Sequence, residues 1–331
     1  TLEWNRRQRQ MCIRDRAVAI QLSGGSGRSV TVGAAVGAND VTTEVTSAID
    51  VVPATAVTAS GKLTVATETA TNIMTLSLGV AGAVTAGSGG GASFAGAGSG
   101  SGNSIHTKSA AALSGAVVQA GSDLSVSARD ASEIIADAGA VGLVLARGPP
   151  LAVSASIAVN TNTTDVRATI QDSQVDASAI RVEANTDSSI ITLAIAGGGT
   201  ASSGSEGTGF SLNGAGAVTV NTITTSVSAA ALRSNLDSST SVAVTATDTS
   251  RIIADAGGVA ATVASQQSGG AAVTVGAAVA VNEVTVDVVA EVTDTPVDAA
   301  TEIVVSSTSS TIVNAVAIGV AGAVSSGGSG V

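Results

Sequence analysis

Residues 273–292 read VTVGAAVAVNEVTVDVVAEV, and the parity of that stretch decides the fold. Val273, Val275, Val279 and Val281 alternate with Thr274, Gly276, Ala278 and Ala280. After Asn282 the parity flips, and Val284, Val286, Val288 and Val292 take over the apolar positions. A period of two is the signature of a strand with two chemically distinct faces, and the β-branched side chains and glycines exclude a helix. A one-residue shift moves a whole side-chain set to the other face of a sheet, so the flip at Asn282 predicts a corner or a bulge there.

The same flip follows Asn39, where Val30, Val32 and Val36 give way to Val41, Val45 and Ile49. It recurs at Asn221, between Val218 and Val220 on one parity and Ile223 and Val227 on the other. Asn39, Asn160, Asn221 and Asn282 are separated by 121, 61 and 61 residues, and Asn103, in the irregular GAGSGSGNS, fills the gap. A second marker agrees: Leu63/Val65, Leu124/Val126, Ile180/Val182, Val242/Val244 and Ile303/Val305. Leu78 and Ile318 are each followed by GVAGAV, four periods apart. Self-similarity at a fixed period marks a solenoid or an array.

A coil of 20 residues would stack residues 273–281 on 293–301, TDTPVDAAT, which is a turn containing Pro296. The expected architecture is therefore an all-β parallel solenoid with one wide coil per repeat of about 60 residues, successive coils pairing about 4.8 Å apart. Residues 273–292 and 303–324 form its two long sides, with turns at 293–301 and 325–330. Glycine-rich stretches such as 89–102 read as turns. The alternative is an array of β-hairpins forming a sandwich. At the repeated corner, Asn39, Asn160, Asn221 and Asn282 are expected to form a hydrogen-bonded structural ladder of the kind stacked amides make. A ligand-binding row is the other reading of the same column.

Composition narrows the function classes. Aromatics are 1% of 331 residues, so the core is built from Val, Ile, Leu and Ala. With 44% hydrophobic and 12% charged residues the chain is no candidate for disorder. Residues 1–16 hold five Arg against Glu3 and Asp15, +3 of a formal net charge of −11, which leaves −14 for the rest. An acidic body with almost no aromatics lacks both the phosphate attraction and the stacking platforms of a nucleic-acid binder. Residues 1–16 also hold the sole Trp and the sole Cys, Cys12, and QRQMCIRDR is similar to translated adapter sequence. They are set apart as non-native, and residues 17–331 are read as a single β-solenoid domain, a fragment of a longer protein whose true N-terminus is missing. The best apolar run, IVNAVAIGVAGAV at 312–324, is shorter than the roughly 20 residues of a membrane helix and reads as a strand.

With its alternating Val/Ala strands, an Asn at each corner and units such as GSDLSVSARDAS and STSVAVTATDTS, the region 17–331 resembles the repeats of large bacterial surface exoproteins. These are the filamentous-adhesin and autotransporter-passenger-like β-helix proteins. The resemblance implies an extracellular or cell-surface stalk or adhesin, with lateral self-association or a host surface ligand as its partner. It implies no site residue, since that group shares no catalytic motif.

The residues themselves point away from an enzyme. The body has one histidine, His106, beside Lys108, and no Cys after Cys12, so neither a triad nor a His/Cys metal site can be assembled, and no cofactor is expected. Carboxylates are the remaining route, since β-helix folds host sugar-cleaving enzymes: Asp130, Glu133 and Asp137 in RDASEIIADA, and Asp248 and Asp255 in TDTSRIIADA. The two motifs are two units apart, about 10 Å, beyond the roughly 6.5–9.5 Å of an inverting pair. The copy between them has Asp187 shifted and no equivalent of Asp137. An ice-binding solenoid would want a regular Thr-x-Thr row. Thr42/Thr43, Thr163/Thr164 and Thr224/Thr225 recur, but Thr285 stands alone.

One surface is expected to associate. In 312–324 the bulky residues Ile312, Val316, Ile318, Val320 and Val324 share a face with Asn314, opposite Val313, Ala315, Ala317, Gly319, Ala321 and Ala323. If the bulky face fills the coil, the flat Ala/Gly face is an exposed apolar patch for a second copy or another surface. The inverse assignment puts the Ala/Gly faces inside a thin coil and the Val face outside.

Overall fold

The computed structural model describes residues 9–23, 28–86, 91–204, 209–266 and 270–326. They form twelve strands: β1 Arg9–Ser23, β2 Ser29–Ala59, β3 Leu63–Thr85, β4 Ser93–Ala120, β5 Leu124–Ala146, β6 Pro150–Gln171, β7 Gln174–Gly204, β8 Gly209–Leu232, β9 Asn235–Gln266, β10 Gly270–Thr293, β11 Val297–Ala299 and β12 Glu302–Ser326. Even strands stack as β2, β4, β6, β8, β10, and odd strands as β1, β3, β5, β7, β9, with β11 and β12 both on β9. All these pairings are parallel. The chain runs along one side, turns, returns along the other and climbs one rung: a parallel β-solenoid. Hairpins would place neighbours antiparallel, so the sandwich of hairpins is excluded. Residues 9–16 lie in β1, in register with residues 71–78 of β3.

The coil has a short third side that the sequence reading folded into the turn. Residues 55–59, 116–120, 174–177, 235–238 and 297–299 pair with one another between the two long sides. Its entry is a column of left-handed residues, Ala54, Gly115, Asp172, Arg233 and Asp294, with φ of 45–70°. In the last three rungs the next residue, Ser173, Ser234 or Thr295, supplies a hydroxyl that replaces strand pairing at the bend. The backbone N–H of Ala116 donates to Ser173 Oγ at 3.2 Å, that of Ser173 to Ser234 Oγ at 3.1 Å, and that of Ser234 to Thr295 Oγ1 at 3.1 Å. Each serine hydroxyl then donates to a carbonyl two residues back, so the buried corner leaves no orphan donor.

The core changes character along the coil. At the end near the third side it is aliphatic: Leu124, Val126, Ile180, Val182, Val242 and Val244 are fully buried. Further along, Ile73, Ile134, Ile190 and Ile252 form one inward column, each with no exposed surface. Burying an isoleucine contributes about 1.5–3 kcal/mol, so such columns make each rung stabilise the next. Beyond the Asn column the interior is mostly alanine, serine, threonine and glycine, with Val144 and Asn213 among them.

That change corrects three expectations. Pairing runs unbroken through Ala38↔Gly102, Asn39↔Asn103 and Asp40↔Ser104, so there is neither corner nor bulge at the Asn. The parity of the inward face stays constant, and what flips is which residues are bulky. Val30, Val32 and Val36 point outward at 64%, 62% and 72% exposure, while Ala35 between them is 6% exposed. The Ala/Gly face is therefore inside. Ala317 and Ala321 lie in register with the buried Ala256 and Ala260, and the bulky face of 312–324 is the outer one. The physical reason is thickness. A Cβ on Gly33, Gly258 or Gly276 would collide with the backbone of Val80, Ala277 or Val320 respectively, so the two sheets approach main chain to main chain where only small residues fit. Glycine within a strand marks such close approach.

The third correction concerns glycine stretches. Residues 93–102 of the predicted turn at 89–102 are strand, paired with β2 on one side and β6 on the other. Residues 89 and 90 lie outside the described residues, as do 327–330 of the predicted loop at 325–330, whose first two residues belong to β12.

Candidate functional site

The Asn column lies on the inner face at the boundary between the two halves. Asn39 Nδ2 donates to Asn103 Oδ1 at 2.7 Å, Asn103 to Asn160 at 2.8 Å, Asn160 to Asn221 at 2.8 Å, and Asn221 to Asn282 at 2.9 Å. Thr75 and Thr192, from the odd-numbered side, tie the column across the coil. Thr192 Oγ1 accepts from Asn160 and donates to Asn221, both at 2.8 Å. Asn160 and Asn221 are at most 1% exposed, so these amides spend their hydrogen bonds inside the protein, away from any ligand in solvent.

The carboxylates divide between the two faces of the odd-numbered sheet. Asp130 and Asp248 point inward, in one column separated by Thr186. Asp130 accepts hydrogen bonds from Thr69 at 2.6 Å and Ser132 at 3.0 Å. Asp248 accepts from Ser250 at 2.7 Å and Ser309 at 3.1 Å. Burial nevertheless pushes both carboxyls above the ordinary aspartate range, because no cation is paired with either. Glu133, Asp137 and Asp255 point outward. Asp137 and Asp255 share a column with Leu193 between them, and partial burial raises Asp137 as well. Inward and outward carboxylates cannot face a common substrate across the sheet. Asp137 and Asp255 are two rungs apart, about 10 Å.

The remaining polar candidates are surface residues. His106 is exposed beside Ser104, and Lys108 forms an exposed ion pair with Glu44 at 2.9 Å. The threonine pairs split between faces: Thr163 and Thr224 point out, while Thr164 and Thr225 are buried. The outer column Thr42, His106, Thr163, Thr224, Thr285 is flanked on one side by residues such as Glu44, Asp165 and Asp287 and on the other by Asp40, Ser104, Thr161, Thr222 and Glu283, so an outward Thr-x-Thr pair occurs on only two rungs. Among the described residues no group of three or more His, Cys, Asp or Glu side chains is placed to hold a metal ion, and no helix is long and apolar enough to cross a membrane.

Sequence reasoning missed the exposed corner of charges. Arg233 donates to Asp172 through Nε at 2.8 Å and Nη2 at 3.0 Å, which holds the Asp172 carboxyl below its usual range. The signal was present as Asp172-Ser173, Arg233-Ser234 and Asp294-Thr295 at 61-residue steps.

What the outer surface offers instead is apolar area. On the even-numbered side, the outward positions of residues 30–38 and their partners in the next four rungs are Val, Ile, Leu, Phe, Ala or Gly without exception. Past the Asn column the same face turns polar, beginning with Asp40, Ser104, Thr161, Thr222 and Glu283. No family model, curated protein or solved structure matches this chain.

Proposed function

We propose that this chain is an extracellular structural or adhesive repeat segment, a stalk or passenger portion of a bacterial surface protein. The observation that carries the reading is the in-register Asn ladder through five rungs, with aliphatic columns on one side and a thin alanine-rich interior on the other. In such a stack each coil is stabilised mainly by its neighbours, so length grows by repetition without new design. The side chains presented to solvent are short hydroxyls, scattered charges and flat apolar panels, a chemistry suited to surface contact. Residues 17–331 contain no Cys, which fits a chain exported unfolded. The test is immunolabelling of intact source cells with antibodies raised against the purified segment. The reading expects surface labelling that brief external protease removes. Labelling only after permeabilisation contradicts it.

A further inference from the structure

The outer apolar panel of β2, β4, β6, β8 and β10 has a relief that the fold itself does not require. Rungs β4 and β8 carry Gly96, Gly98, Gly214 and Gly216 where β2, β6 and β10 carry Val or Ala. A Cβ on Gly102, Gly214 or Gly216 would meet no atom within 4 Å, so internal packing does not exclude larger residues there. Glycine in a strand costs stability and often marks a place where another backbone approaches. At these columns the surface is grooved, with ridges two rungs apart, about 10 Å, which leaves room between them for a side chain of an opposing sheet.

We infer that this panel is an isologous interface between two copies of the chain, an inference that rests on the structural reading above and supplies its lateral contact. The relief fixes the geometry. A two-fold axis lying along the strands, midway between β4 and β6, keeps residue columns aligned and reverses the order of rungs. It seats Ile157 of one copy over Gly100 of the other and Val159 over Gly102, and the symmetry returns the same contacts. Ile157 and Val159 are 48% and 42% exposed in the single chain. The two-fold overlaps four rungs, β2 to β8, about 30 by 19 Å, hence about 570 Å² per copy and about 1,100 Å² in all, just above the roughly 1,000 Å² that a specific interface needs. The panel contains no charged side chain, so no ion is stripped of water when it closes.

Sedimentation of the whole chain tests the inference. The expected result is a reversible monomer–dimer equilibrium that tightens with salt, since salt screens the repulsion between two chains of net charge −11. Ile157→Glu with Val159→Glu, and separately Gly102→Leu, should each weaken the dimer at least about tenfold while the thermal transition of the monomer survives. Gly102→Leu keeps the test open if the charged pair fails to fold, because its site is vacant. Thr163→Glu on the polar half and Val141→Glu on the odd-numbered side should leave the dimer unchanged. A wild-type chain that stays monomeric up to about 100 µM, or a dimer indifferent to Gly102→Leu, overturns the inference. So does panel-dependent flotation with phosphatidylcholine vesicles without dimerisation, which would assign the panel to lipid. None of these outcomes decides whether the segment is on the cell surface, which the antibody experiment reads separately.

Discussion

Asn160 and Asn221 are 61 positions apart in the chain, yet the amide of one donates to the carbonyl oxygen of the other at 2.8 Å with Thr192 bridging both. Removing one member strips partners from several buried groups at once. In Asn221→Ala, Asn282 Oδ1 loses its donor and the Thr192 hydroxyl loses its acceptor. At about 1–3 kcal/mol per buried unpaired group, the expected loss is about 2–4 kcal/mol in urea unfolding. A loss below about 1 kcal/mol would mean the ladder does not hold the rungs.

Asp130 and Asp248 give the fold an unusual pH dependence. Burial raises their folded pKa above the value near 3.8 that they regain on unfolding. The stabilisation they contribute is then full below that value and is lost as pH rises through the folded pKa. Asp130→Asn keeps an acceptor for Thr69 and Ser132 and removes the ionisation. The variant should be more stable than the wild type at pH 7, with the gap closing toward pH 4. Equal unfolding free energies at both pH values for the two proteins would refute the assignment.

The thin half predicts opposite outcomes for chemically identical changes. Gly258→Ala drives a methyl into the backbone of Ala277 and should cost about 1–3 kcal/mol. Gly322→Ala, whose added carbon meets nothing within 4 Å, should be neutral or stabilise by about 0.5–1 kcal/mol. Thermal unfolding of the two variants side by side reads the difference. Equal effects would mean the two sheets are not in contact at Gly258.

The Ala/Gly face should also be protected chemically. With Cys12→Ser as background, Ile195→Cys should react with maleimide in the native state, and Ala196→Cys, at a fully buried position, should not. Reaction at position 196 faster than at 195 would put the Ala/Gly face outside instead.

The coil of about 60 residues and the Asn column were legible because like residues recur at nearly constant spacing, 64, 57, 61 and 61 along the Asn column, and parallel stacking favours that recurrence. The inside–outside assignment was not. The usual rule that bulky apolar residues face inward holds for Ile73 and Val126 but fails for Val32 and Ile157, where glycine contacts bring the two main chains together and leave room inside mostly for small residues. Alternation alone states that two faces differ, and it cannot weigh a thick aliphatic interior against a thin one. The glycine run at 93–102 misled for a related reason: in a rung held on both sides, pairing overrides the turn preference of Gly and Ser. Asp130 was singled out as a candidate acid, but its inward placement was not legible, because a buried carboxylate satisfied by hydroxyls from three strands has no local pattern.

The most direct test of the one-coil-per-61-residue stack is a disulfide. Thr163 and Thr224 are outward partners on adjacent rungs, so their Cα atoms lie about 5 Å apart, inside the roughly 4.4–6.8 Å that a disulfide spans. In the Cys12→Ser background, Thr163→Cys with Thr224→Cys should close an intramolecular bond on mild oxidation, visible by mass spectrometry of proteolytic fragments. Thr163→Cys with Thr222→Cys, displaced two residues along the strand to about 8 Å, should not. A bond in the second pair and none in the first would contradict the register, and with it the solenoid on which the proposed function rests.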